Sequence, residues 1–128
     1  MRALVIAALL AVGCAPALDG VRQSLAASER LVVASADTFP AVDLAYQRSL
    51  EKRDDAVDAI TRYRDNVRPK VLKAFADTEA ALAAAETTVA LVEQAKADKN
   101  DLGKVVAAVW AALQDLQTQL ATIVIGGK

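Results

Sequence analysis

The chain has 128 residues, of which 55% are hydrophobic, and 15 Lys and Arg oppose 16 Asp and Glu. This nearly equal number of positive and negative residues argues against a nucleic-acid-binding protein. Because the chain has no histidine, it has no Ser-His-Asp or Cys-His catalysis and no zinc site of the usual kind. Because there is a single cysteine, no disulfide can form within the chain. The length suits one domain, and the alanine-rich, glycine-poor composition favours an all-α fold.

The N-terminal segment carries the clearest motif. Arg2 provides a short positive region, residues 3–13 are uncharged, and Cys14 ends the apolar run. The run has the length of a signal-peptide core and is too short for a transmembrane helix, which needs about 20 residues. The sequence Leu10-Ala11-Val12-Gly13-Cys14 resembles the lipobox of bacterial lipoprotein signal peptides.

This resemblance implies how the segment is processed. Residues 1–13 would be a signal peptide removed after Gly13, residues 14–19 an acylated cysteine with a short tether, and residues 20–128 the folded domain. Two or three palmitate-like chains on Cys14 would anchor the protein stably, whereas one chain binds a membrane only marginally. Ala15 follows the cysteine in place of an aspartate, which favours the outer membrane, facing the periplasm.

The first two predicted helices cover the N-terminal half of the domain. A shorter helix is expected over about 20–36, ended by Asp37-Thr38-Phe39-Pro40, in which the proline suits a new first turn. A long helix is expected over about 40–66, because its apolar positions recur at alternating steps of three and four. Asn66 and Pro69 are expected to end it.

Two more long helices are predicted, over about 69–98 and about 101–125. A turn at residues 98–101 separates them, with Asn100 or Asp101 as the cap. The last helix holds a regular apolar repeat, formed by Leu102, Val106, Val109, Leu113, Leu116, Leu120 and Ile123. The predicted fold is therefore an all-α antiparallel bundle of three long helices plus a shorter N-terminal one.

The junction at Pro69 allows an alternative. Val67, Val71 and Phe75 continue the apolar stripe across the proline at steps of four, as in a single rod kinked there. A hairpin at residues 67–68 instead gives three helices of similar length, which a compact bundle needs, and is the favoured interpretation.

Charged residues on the predicted helices suggest pairing rather than chemistry. Arg53 lies on the apolar stripe of the second helix, and the predicted hairpin sets it between Glu79 and Glu86 on the third. An arginine in that position is costly unless it is paired, so we expect an ion pair with one of them. The cluster Asp54, Asp55 and Asp58 is interpreted as a solvated helix face with local ion pairs, and no metal site is predicted.

The predicted turn between the second and third helices is strongly basic. In an up-down bundle tethered at Cys14 this turn would face the bilayer, where each cation near an anionic surface contributes about 1 kcal/mol. The residues expected to contact lipid headgroups or another polyanion are Arg62, Arg64, Arg68, Lys70 and Lys73.

The expected function is that of a non-enzymatic, membrane-anchored envelope lipoprotein that presents a helical bundle to an envelope protein or to a second copy of itself. No cofactor beyond the covalent lipid, no nucleic acid and no small-molecule substrate is expected. Two alternatives stay open at this level: a phage or prophage lipoprotein of lysis or superinfection exclusion, and an inhibitor or immunity lipoprotein.

Overall fold

The computed structural model of the protein describes residues 18–126, with side chains from Leu18 to Ile123. This range is helical and contains no strand, which confirms the all-α prediction. The helices are α1 (Leu18–Glu51), α2 (Ala56–Arg62), α3 (Arg68–Glu93) and α4 (Lys99–Gly126), and a π-helical turn (Tyr63–Val67) joins α2 to α3. Because α2, the π-turn and α3 follow one another without a loop, the architecture is an antiparallel bundle of three rods.

The predicted break between the first two helices is wrong, since α1 continues through Pro40. An interior proline costs a helix about 3 kcal/mol, so packing on both sides must offset it. The Phe39 ring packs edge-on against Phe75 with centroids 5.7 Å apart, and Asp43 is buried one turn later. The Thr38 hydroxyl donates to the Ser35 carbonyl at 3.1 Å instead of starting a new helix.

The predicted hairpin at residues 67–68 is also wrong. The chain reverses at residues 52–55, where the Arg53 N–H donates to the Leu50 carbonyl and the Ala56 N–H to the Arg53 carbonyl. Across Pro69 the chain stays helical, so the alternative of one rod describes this region better. The second and third predicted helices therefore form one rod from Ala56 to Glu93, and the second starts much later than expected.

The last turn lies at residues 94–98, a few residues before the predicted turn at 98–101. α3 ends at Glu93, earlier than expected, and the Lys96 N–H donates to the Leu91 carbonyl at 2.8 Å in a Schellman-type C-cap. Ala95 adopts a left-handed φ of 56° there. Asp98, rather than Asn100 or Asp101, caps α4: its Oδ1 accepts the N–H of Asn100, the second residue of the helix, at 3.3 Å. The predicted bounds of α4 are correct to within two residues.

The core runs the length of the bundle. α3 and α4 pack against each other most extensively, and their register is fixed where the buried Thr78 hydroxyl contacts the Ala112 carbonyl at 3.3 Å. None of the helices within residues 18–126 is both long and apolar enough to cross a membrane. The fully buried apolar side chains include Val21, Leu25, Tyr63, Val71, Val109 and Ile123.

Candidate functional site at the hairpin tip

The π-turn is the most irregular backbone in the described helices, and it sits in the half of the bundle that ends in the hairpin. The Arg68 N–H donates to the Tyr63 carbonyl, five residues back. Pro69 follows at once, and it has no N–H and a ring that clashes with the carbonyl four residues before it. The wider π-turn accommodates this proline. Such turns are frequent at functional sites, so we call residues 43–68 the tip and consider them as the candidate site.

A buried carboxylate organises the tip. Asp43 is only 7% exposed, and it accepts hydrogen bonds from the Tyr63 hydroxyl, from Arg68 Nε at 3.0 Å and from Gln47 Nε2 at 3.2 Å. Burial alone would raise the pKa of Asp43, but the bonds from Tyr63, Arg68 and Gln47 together hold it below its usual value. Asp43 is therefore ionised at neutral pH and ties α1 to both ends of the π-turn.

Tyr63 fills the space beside that carboxylate. It is 2% exposed, and its ring packs edge-on against Tyr46 with centroids 4.8 Å apart. Burial, and then the bond to Asp43, raise the pKa of the Tyr63 hydroxyl well above its usual value. The hydroxyl therefore stays protonated and acts as a fixed donor, so the pair holds its proton in place rather than exchanging it.

Further polar contacts lie next to the hydrogen bonds of Asp43. The Arg64 guanidinium donates through Nε and Nη2 to Gln47 Oε1, at 3.3 and 3.2 Å. Since Gln47 itself donates to Asp43, Arg64 is one side chain removed from the buried carboxylate. The tip thus holds two arginines close to a single buried negative charge.

An open groove of about 290 Å³ lies next to this network. Asp55 joins the two arginines of the groove: it accepts hydrogen bonds from Arg53 Nε and Nη2 at 2.8 and 3.1 Å and from Arg62 Nη2 at 3.3 Å. The hydrogen bond from Arg53 is the main cause of the lowered pKa of Asp55. The groove presents aromatic, aliphatic and cationic groups; its lining residues are Tyr46, Leu50, Arg53, Ala59, Arg62, Tyr63 and Val67.

The predicted pairing of Arg53 with Glu79 or Glu86 is wrong. Arg53 lies in the hairpin loop and binds Asp55, whereas both glutamates lie up the rod, at least about 35 Å away at 1.5 Å per residue. The error follows from the misplaced hairpin. Of the neighbouring acidic residues, Asp55 forms the expected local ion pairs, but Asp54 and Asp55 lie in the hairpin loop rather than on the predicted helix face.

Glu86 faces another acid instead. It lines a groove of about 250 Å³ between α1 and α3 together with Glu29, and Arg22 at the edge of that groove pairs with Glu93. Burial, and then the neighbouring Glu29 carboxylate, raise the pKa of Glu86. Glu86 is therefore a source of repulsion between the two rods at neutral pH.

The five predicted cations do not form a turn. They are spread along α2, the π-turn and the start of α3, so the prediction that they form a basic turn is wrong. Three of them pair with aspartates: Arg62 with Asp55, Arg68 with Asp43, and Lys73 with Asp77 at 2.7 Å. Arg64 binds Gln47, and Lys70 is exposed. Contact of these side chains with an anionic surface stays a prediction.

Sequence reasoning missed Asp43 and the π-turn, although a signal was present. The inward positions Ala59, Tyr63, Val67, Val71 and Phe75 follow one another at steps of four. An α-helix has 3.6 residues per turn, so each such step drifts by about 40° around it. A long run of these steps keeps one face only if the helix gains a residue, as a π-turn provides.

No group of three or more His, Cys, Asp or Glu side chains that could hold a metal ion occurs within the described part of the chain. No protein-family model, curated protein or solved structure matches the sequence significantly. Cys14 and the rest of residues 1–17 lie outside the described range, so the lipobox interpretation stays a prediction.

Proposed function

We propose that this is a lipid-anchored, non-enzymatic protein of the bacterial cell envelope that presents its tip to a partner away from the membrane. The polarity of the bundle carries the proposal. α1 starts at Leu18, a few residues after Cys14, and extends for 34 residues, or about 50 Å, to the hairpin. We call the end of the bundle where α1 begins, α3 ends and α4 begins the base. A chain acylated at Cys14 therefore holds the base near the bilayer and the tip far from it.

The chemistry of the tip supports this role. Its groove combines tyrosines and arginines, which are the side chains enriched at protein interfaces. The buried bonds of Asp43 hold α1 against the π-turn in the observed register, and they thereby define the shape of the groove.

The anchor is tested by acylation. Cells that produce the full chain are grown with an alkyne-tagged palmitate, and the label and the membrane fraction are compared with those of Cys14→Ala. We expect the parent chain to be labelled and membrane-bound, and Cys14→Ala to lose the label. Ala15→Ser is the matched control and should retain both. A parent chain without label, or a Cys14→Ala chain that is still labelled, would contradict the anchor.

Presentation of the tip is tested by site-specific photocrosslinking in intact cells. A benzoylphenylalanine replaces Asp54 in the hairpin loop or, as the matched control, Lys96 in the loop at the base; both positions are exposed. We expect one predominant protein adduct from position 54 and none from position 96. A dimer of this chain would identify the partner as a second copy. Equal adducts from both positions would contradict presentation by the tip.

A further inference from the structure

The tip exposes a large apolar side chain while it buries a small one. Val57 is 80% exposed, the most of any large hydrophobic residue in the described part of the chain, whereas Ala59 is 6% exposed. Both lie in α2, two residues apart. Burial of a valine is worth more than burial of an alanine, yet α2 leaves Val57 in solvent, while its other large aliphatic residue, Ile60, is partly buried.

The π-turn selects that face. If the rod were α-helical throughout, the stripe through Val71 and Val67 would continue at helical steps through Arg64, Ile60 and Val57. The extra residue of the π-turn rotates α2 by about one position, or roughly 100°. Tyr63 and Ala59 then face inward, and Val57 faces solvent.

The hydrogen bonds at Asp43 hold the observed face in place. The Tyr63 hydroxyl binds one carboxylate oxygen and Arg68 Nε the other, so contacts come from the first residue of the π-turn and from the residue directly after it. Arg64 lies beside them and donates hydrogen bonds to Gln47. A rotation by one residue exchanges Tyr63 for Arg64 as the group that faces Asp43, so the carboxylate keeps a donor in either arrangement.

We infer that the π-turn is a two-register switch, in which α2 rotates between the observed face, held by Tyr63 and Arg68 on Asp43, and a second face that buries Val57 and brings Arg64 to Asp43. Pro69, which an uninterrupted α-helix accommodates poorly, favours the observed register. The second register exposes Tyr63 and remodels the groove that Tyr63, Ala59 and Tyr46 line. A partner that binds the exposed tyrosine would therefore shift the equilibrium.

Thiol labelling of the full chain tests the switch. Cysteine is placed at Val57 or at Ala59, and the label on the unsubstituted chain corrects for Cys14. The trigger is Tyr63→Phe with Arg68→Met, which removes both donors of the observed register and leaves Arg64 intact. We expect labelling at position 59 to speed up at least tenfold and labelling at position 57 to slow down at least threefold.

Opposite changes at the two positions are the signature of rotation, and a control separates them from unfolding. Val89→Cys, buried further along the same rod, should keep its slow labelling in the trigger background. Faster labelling at both 57 and 59 would mean local fraying, and faster labelling at 89 as well would mean global unfolding. Either result, or no change at 57 and 59, would overturn the two-register switch.

Discussion

The base and the tip of the bundle are held together by different forces. At the base, where α1 begins, α3 ends and α4 begins, the buried residues are mainly aliphatic, such as Leu25, Val89 and Leu102. At the tip, α1 is joined to the π-turn by aromatic rings and a buried carboxylate. By the register set at Thr78, α4 ends at about the level of the π-turn, so beyond it the two remaining rods pack largely as a pair.

This difference shows what replaces a third rod. Apolar burial is non-directional and grows with area, so it supplies most of what holds three rods together. Two rods bury less area, and the directional bonds of Asp43 then set their spacing and hold α2 in the observed register. The tip gains a defined shape from a few contacts, which also makes it the part of the bundle that single substitutions should alter most specifically.

The largest contrast is expected between two single-residue deletions, one in the π-turn at the tip and one in the part of α3 that packs in the three-rod bundle. The deletions are made in a Pro69→Ala background, because an uninterrupted α-helix accommodates the proline poorly and its cost would mask the effect of the deletion. Loss of Asn66 should shorten the π-turn to α-helix, leave both flanking faces in register and change stability by less than about 1 kcal/mol.

Deletion of Ala83, an exposed residue of regular α3, is the matched control. It rotates the following residues by about 100° and turns the buried face outward, so we expect a loss of at least about 4 kcal/mol or no cooperative folding. Urea unfolding followed by circular dichroism measures both. Equal damage from the two deletions would show that the π-turn does not absorb a residue.

The next largest effect concerns the carboxylate of the tip. Asp43→Ala leaves the buried Tyr63 hydroxyl and the half-exposed Arg68 without their acceptor, and should cost about 2–4 kcal/mol in urea unfolding. Asp37→Ala, an exposed aspartate on the same helix, should change stability by less than about 0.5 kcal/mol.

The same substitution has a defined pH dependence. The pKa of Asp43 is lower in the folded state than its usual value of 3.8, so its contribution is fully present above about pH 4 and is lost as the pH falls below that. The stability difference between the parent chain and Asp43→Ala should therefore shrink on acidification. A difference that stays constant down to pH 2 would show that the charge of Asp43 is not what stabilises the tip.

A smaller effect of opposite sign is expected at the base. Ala95 holds a left-handed φ of 56° in the cap of α3, a conformation that glycine adopts without penalty. Ala95→Gly should stabilise the protein by about 0.5–1 kcal/mol. Ala83→Gly, in the exposed interior of α3, should destabilise it by a similar amount. Thermal melts of the two variants should move in opposite directions, and a fall in both would contradict the cap.

The smallest effect concerns the acidic groove near the base. The pKa of Glu86 is raised in the folded protein, so the ionised group opposes folding above that pKa and ceases to do so as the pH falls below 4.5. Glu86→Gln should stabilise the bundle by up to about 0.5 kcal/mol at pH 7 and have no effect near pH 4. Glu79→Gln, at an exposed position of α3, serves as the control. A larger gain at pH 4 than at pH 7 would contradict this assignment.

Most of what the sequence predicts correctly about this protein rests on local patterns. The helical composition predicts the fold class, and the apolar repeat places α4 to within two residues. The N-terminal motif, on the other hand, is an interpretation that rests on the segment outside the described residues. At the tip the sequence shows the steps of four from Ala59 to Phe75. Whether they indicate a π-turn depends on which rod packs against those residues.

The places where the rods begin and end were decided by tertiary structure. Pro40 is a stronger local stop than anything in residues 52–55, yet α1 passes through the proline and the chain turns at the loop. The reason is that an interior proline costs about 3 kcal/mol, which the burial of Phe39 and the hydrogen bonds of Asp43 on either side can offset. A local signal of that size sets a preference, and the contacts made across the bundle determine whether the chain follows it.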